Sequence, residues 1–280
     1  MHTMHILTVC DGNVCRSPMA EYLLRAELQR LGTPALHPHA PQDGDWASLA
    51  PGDAPVTYPD LASKPGNIPD TEPVTATALI LGDTATPATA PAAPATTPDR
   101  TATPATAPAA TTPIAVSSAG LLHLPPRIID RTCLRLLASA GIDASDHIST
   151  VCTPDMVTDA NLVLCFTRDQ LAALLRDTPR ALRHTFLIDD FANLCAASMR
   201  DGGPEGSTPA ERLSSLLEDA PLMRPMLPSA SEIIDPFRRD EAVYETTFAA
   251  IEAAARVIAQ ALATALATAS SSSPHTCGPR

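Results

Sequence analysis

Residues Cys10 to Pro18 read Cys-Asp-Gly-Asn-Val-Cys-Arg-Ser-Pro, preceded by the apolar run Ile6-Leu7-Thr8-Val9 and followed by a helical pattern. The nine residues therefore sit where a strand turns into a helix. Such a junction aims unpaired backbone N–H groups at one spot, and the helix dipole adds partial positive charge there. Gly12 and Asn13 readily take positive φ, which lets the loop curl into a nest of amides around a phosphate-sized anion. Cys10 enters that nest at the strand end. Arg16 brings a fork of donors able to hold two phosphate oxygens. Ser17 suits the N-cap and Pro18 the first helical position. A helix N-terminus and a guanidinium lower a cysteine pKa from ~8.5 into the range ~3.5–7.5. The expectation is a thiolate nucleophile facing a bound phosphate.

This stretch resembles the signature of the low-molecular-weight protein tyrosine phosphatases, Cys-x-Gly-Asn-x-Cys-Arg-Ser-Pro. The resemblance implies an α/β three-layer sandwich with a four-stranded parallel sheet and the phosphate loop at the C-terminal end of the first strand. It implies no cofactor and no metal, and the eight histidines are scattered, with no His, Asp and Glu cluster at ligand spacing.

Of the 29 prolines, 16 fall between Thr33 and Pro113, a segment with eight acids against only Lys64 and Arg100. It contributes half of the formal charge of −12. The remainder is not basic, which argues against nucleic acid or an anionic membrane as partner. Seven cysteines without paired metal spacing, no signal peptide and no long uninterrupted apolar run point to a reducing cytoplasm. The Ala-rich run Ala254 to Ala269 is interrupted by Arg256 and Gln260 and reads as the end of a surface helix, not a membrane span.

Along the chain, residues 4–9 read as a buried strand and Pro18 to Leu31 as an amphipathic helix stopped by Gly32. From Thr33 the pattern dissolves into Pro, Ala, Thr and Asp. Thr-Pro-Ala-Thr-Ala-Pro occurs at 86–91 and again at 103–108, the mark of a low-complexity, extended segment. Order resumes with a strand at Ile114 to Gly120, which resembles the family's Val-x-Ser-Ala element. The expected layout is one phosphatase domain formed by 1–32 and 114–268, a disordered insertion at 33–113 and a disordered tail at 269–280. Surface loops absorb such length at slowly growing entropic cost. A helix follows over Arg127 to Ala140, then a turn at Gly141 to His147 resembling the family's Gly-Ile-x-x-Ser-x-His. A helix start at Thr153-Pro154-Asp155, a third strand at Leu162 to Phe166, its helix over Arg168 to Arg176 and a fourth strand at Thr185 to Ile188 complete the alternation of a parallel sheet. After Asp190 the pattern loosens. A short helix is expected at Pro209 to Leu217 and a last one at about Arg239 to Ala265.

The leaving oxygen of a phosphate monoester needs a proton, and a carboxylic acid is the usual donor. Asp235-Pro236-Phe237, ahead of the last helix, resembles the family's acid loop Asp-Pro-Tyr, with Phe237 keeping an aromatic wall but losing the hydroxyl. The resemblance assigns Cys10, Arg16 and Asp235 to catalysis and Asp11, Gly12, Asn13, Val14, Cys15, Ser17 and Phe237 to substrate binding. Ser118 and His147 would support Asn13, and Ser17 would assist thiolate formation. Cys15 resembles the family's second cysteine, able to trap an oxidised nucleophile as a disulfide, with loop packing as the other reading. The expected substrate is phosphotyrosine on proteins, a tyrosine kinase or its targets among them, for a monomeric enzyme. Phosphoarginine and small aryl phosphates stay open. Two rivals are an arsenate reductase of the same fold, for which Cys165 and Cys152 are the candidate relay cysteines, and an idle anion- or phosphoprotein-binding module.

Overall fold

Ile6 to Val9 has no polar interruption longer than Thr8, as befits a strand covered on both faces. In the computed structural model, which describes residues 3–36, 113–218, 223, 227 and 229–267, this strand, β1 (Met4–Cys10), is the middle of a parallel sheet. Around it stand β2 (Ala35–Leu36), β3 (Ile114–Gly120), β4 (Leu162–Cys165) and β5 (Thr185–Leu187), in the order β2-β3-β1-β4-β5. β1 pairs along its length with β3, from Met4 opposite Ile114 to Cys10 opposite Gly120. On its other side Ile6 to Val9 face Leu162 to Cys165. The sheet has five strands, not four. Ala35 and Leu36 fall at the start of the segment expected to be disordered, and a two-residue edge strand carries no periodicity of its own. Its existence depends on pairing with Ile114 and Ala115. The rest of the expected insertion, residues 37–112, and the expected tail lie outside the described residues.

Alternation along the strands feeds two cores. Met4, Ile6, Val116, Leu162, Leu164 and Phe186 face one layer of helices, while Leu7, Val9, Ala119, Val163, Cys165 and Leu187 face the other. The first layer holds α1 (Arg16–Arg30), α2 (Arg131–Ser139), α5 (Ile188–Arg200), α6 (Pro209–Glu218) and α7 (Glu241–Leu266). The second holds α3 (Pro154–Asp159), α4 (Arg168–Asp177) and the 3-10 turn Pro179–Arg183. Leu24 and Leu28 of α1 are fully enclosed, and truncating either to alanine costs about 2–5 kcal/mol. Gly32, with φ of 76°, stops α1.

Three helix expectations change. α2 begins at Arg131, because the Asp130 carboxylate accepts from the N–H groups of Thr132 and Cys133 and caps it there. α5 was not foreseen. Its apolar spacing, Ile188, Phe191, Ala192 and Cys195, is helical, but it continues directly from β5 with no capping side chain to mark a start. The Ala-rich run is core, not surface: Ala254, Ala255, Ile258, Ala259, Ala261, Leu262, Ala265 and Leu266 are all buried. α7 is long and apolar enough to cross a membrane by composition, yet half of its most apolar stretch is buried inside the protein.

Candidate active site

The connection leaving β1 runs through α1 to β2 on one side, whereas that leaving the neighbouring β3 crosses to β4 on the other, so chain directions diverge at the carboxyl ends of β1 and β3. That is the crevice where open α/β sheets bind ligands. Residues 11–15 form the turn there and α1 starts at Arg16. Ser17 is not the cap: the N-cap position falls to Cys15, without a side-chain bond. The Ser17 hydroxyl is fully buried and turned inward, 3.0 Å from Cys10 Sγ and 3.3 Å from the Ala119 carbonyl. The Asn13 N–H points at the same sulfur, at 3.3 Å.

The left-handed residue is Asn13, with φ of 53°, and Gly12 does not share that conformation. A non-glycine residue keeps such a backbone only when its surroundings over-determine it. Asn13 Nδ2 donates to Ser17 Oγ (2.9 Å) and Ser118 Oγ (2.8 Å), and Asn13 Oδ1 accepts from the Thr150 N–H (2.7 Å). His147 Nε2 donates to the Asn13 carbonyl at 2.9 Å. Burial lowers the His147 pKa against the raising effect of that bond and of Asp146, keeping the ring neutral. Since a carbonyl only accepts, the ring proton is on Nε2.

Ser118 passes its own proton to Glu21 Oε2 at 2.6 Å. Glu21 is buried in α1, and burial pushes its carboxyl up to about 7 despite the Ser118 bond and Arg25. The sequence held one clue to it, a charged residue one helical turn after Ser17 on the inward side of α1.

Gly120 closes the other flank. A Cβ built there would lie 2.9 Å from the Asp11 carbonyl oxygen and 3.0 Å from Asn13 N. The glycine is what lets β3 approach the loop, and the N–H groups of Leu121 and Leu122 then donate to the Cys10 and Asp11 carbonyls.

Arg16 is almost fully buried, and its Nη2 donates to Asp11 Oδ2 at 2.7 Å and to Asp235 Oδ2 at 2.9 Å. Nη1 donates to the Ile233 carbonyl. Nε is buried and has no hydrogen-bond partner among the described residues. Gln170, itself buried in α4, donates to the same Asp11 oxygen at 2.8 Å while accepting from the Phe166 N–H. Cys10, Arg16 and Asp235, 225 positions apart at the extremes, thus share one crevice. Asp235 Oδ1 accepts from the Phe237 N–H in a tight turn, and the Phe237 ring lies partly buried with Arg238 stacked 5.4 Å from its centroid.

One expectation shifts. Burial pushes the Cys10 thiol up, outweighing Arg16, Ser17 and the Asn13 N–H, which all favour the thiolate. Behind the loop, the Val14 carbonyl accepts from the Asp130 N–H at 2.9 Å, and the buried Cys15 sulfur lies within 4.8 Å of the Cys133 sulfur and an Asp130 oxygen.

Fold and site together define an α/β protein whose central parallel strand ends in a loop carrying a buried cysteine and a buried arginine at a helix start. Residues 5–37 match the family described as low molecular weight phosphotyrosine protein phosphatase, which bears out the resemblance carried by Cys10 to Pro18 over this segment. Two strains of Staphylococcus epidermidis contribute curated relatives, each a low molecular weight protein-tyrosine-phosphatase PtpA, 44% identical over 43 residues. The match covers 15% of this chain and 28% of the relative. Similar solved structures include a YwlE mutant from Bacillus subtilis, at 17% identity, 92% coverage of this chain, 97% of that one and a TM-score of 0.49. The tyrosine phosphatase amsI of Erwinia amylovora follows at 18%, 93%, 93% and 0.47. A low molecular weight phosphotyrosine phosphatase from Vibrio cholerae O395 gives 17%, 92%, 95% and 0.48. At that level these structural likenesses carry no weight for function.

Proposed function

We propose that the protein is a protein-tyrosine phosphatase that hydrolyses phosphotyrosine on proteins, and aryl phosphates, through a cysteinyl phosphate. The observation that carries this is the buried Arg16 guanidinium in the loop that follows Cys10, with Nε unpartnered among the described residues and Nη2 paired with the half-exposed Asp11 and Asp235 carboxylates. A phosphate in the loop satisfies Nε and exchanges with Asp11 and Asp235 at Nη2, and loop N–H groups bind its other oxygens. Cys10 attacks as thiolate, steadied by Ser17 Oγ–H and Asn13 N–H. The sulfur–phosphorus bond forms as the phosphorus–oxygen bond breaks, and Asp235, released from Arg16, protonates the leaving oxygen. Water then attacks phosphorus, Asp235 takes its proton, and the thiolate departs with phosphate free. Phe237 supplies a wall for the substrate ring, and Asn13, Ser118 and His147 hold the loop in its strained form.

Cys165 and Cys152 do not suit an arsenate relay. They belong to the core on the opposite face of the sheet from Cys10. A monomer acting in the cytoplasm on a tyrosine kinase or its targets is the physiological setting we assign. The test is hydrolysis of p-nitrophenyl phosphate and a phosphotyrosyl peptide by purified protein. Cys10→Ser abolishes turnover, and Asp235→Asn lowers kcat by roughly 10²–10⁴-fold. A wild type that binds phosphate without hydrolysing either substrate overturns the enzyme reading.

A further inference from the structure

Cys15 and Cys133 are 118 positions apart, yet both are buried and their sulfurs lie within 4.8 Å of each other. The local fold explains the meeting. Asp130 ties α2 to the phosphate loop through its N–H on the Val14 carbonyl, and its Oδ1 caps α2 on the Thr132 and Cys133 N–H groups. Cys15 is thereby the N-cap residue of α1 and Cys133 lies in the first turn of α2. One ligand atom from each of Cys15, Asp130 and Cys133 lies within 4.8 Å of the others. Sulfurs in a tetrahedral zinc site at ~2.3 Å from the metal are roughly 3.8 Å apart, so a small inward movement closes the set.

We propose that Cys15, Asp130 and Cys133 bind a thiophilic divalent cation of the zinc class, with water completing the coordination. Two thiols lose their protons on binding, and two thiolates with one carboxylate then surround the dication. A mere disulfide-ready pair gives no place to the Asp130 oxygen. The cation binds independently of hydrolysis at Cys10, while tethering Cys15 to α2 fixes the phosphate loop.

The test is a Co²⁺ titration of the fully reduced full-length chain, read by thiolate-to-cobalt charge-transfer absorption, with Zn²⁺ as displacing ion. One equivalent with thiolate bands is expected in the wild type and equally in Cys10→Ser, with at least a tenfold loss of affinity in Cys133→Ser. Asp130→Asn retains a capping side chain and so keeps α2 in place, yet it also weakens binding at least tenfold. No thiolate band in the reduced wild type overturns the proposal. So does a band that survives Cys133→Ser and Asp130→Asn but vanishes in Cys10→Ser, which locates the cation at the nucleophile.

Discussion

Replacing Glu21 by glutamine tests whether a buried carboxyl stands behind the phosphate loop. In the folded protein its pKa is raised from 4.5 to about 7, chiefly by burial. Between those values the native state holds a proton that the unfolded chain has released, so this group's stabilisation is complete below about pH 4.5 and is lost as pH rises through about 7. At about 1.36 kcal/mol per pH unit, the loss between pH 5 and pH 8 is about 2.5 kcal/mol. Glutamine has no proton to lose and still offers an oxygen to Ser118. Urea unfolding of wild type and Glu21→Gln at intervals from pH 5 to 8 isolates the effect. The His147 contribution runs the other way, because its lowered pKa weakens the fold as pH falls below about 6.5. It is common to both proteins and cancels in the difference. The variant should gain about 2.5 kcal/mol relative to wild type across the range. Parallel stability curves would refute the raised carboxyl and the Glu21–Ser118–Asn13 chain built on it.

Two further predictions concern the crevice. Asp11→Asn relieves Arg16 of one counter-charge, so alkylation of Cys10 by iodoacetamide should move to lower pH and inorganic phosphate should inhibit more strongly. An unchanged alkylation profile would mean that Asp11 does not restrain the guanidinium. Gly120→Ala drives a methyl against the Asp11 carbonyl and Asn13 N, a clash costing about 1–3 kcal/mol. Its signature is a fall in kcat/KM of at least tenfold with the sheet's circular dichroism intact, and wild-type kinetics would show that the loop accommodates the methyl.

The four long strand assignments, α1 and α7 were legible because each is a run of apolar residues with period 2, period 3.6 or none. Cys10 to Pro18 was legible because its chemistry is local: a run of loop amides, a thiol and a guanidinium need nothing distant to be placed at a helix start. β2 and α5 escaped because a two-residue edge and an uncapped helix carry no local signal. Glu21 looked like one more helix-surface acid until Ser118, 97 positions away, was laid against it.

What the chain determines by itself is therefore the nest and its nucleophile, since hydrophobic period and loop chemistry act over a few residues. Tertiary structure decided that Arg16 is shared by Asp11 and Asp235, that burial raises the Cys10 thiol, and that Cys15 faces Cys133. Charge and desolvation depend on what surrounds a group in space, and here the parallel sheet brings those surroundings from the far end of the chain.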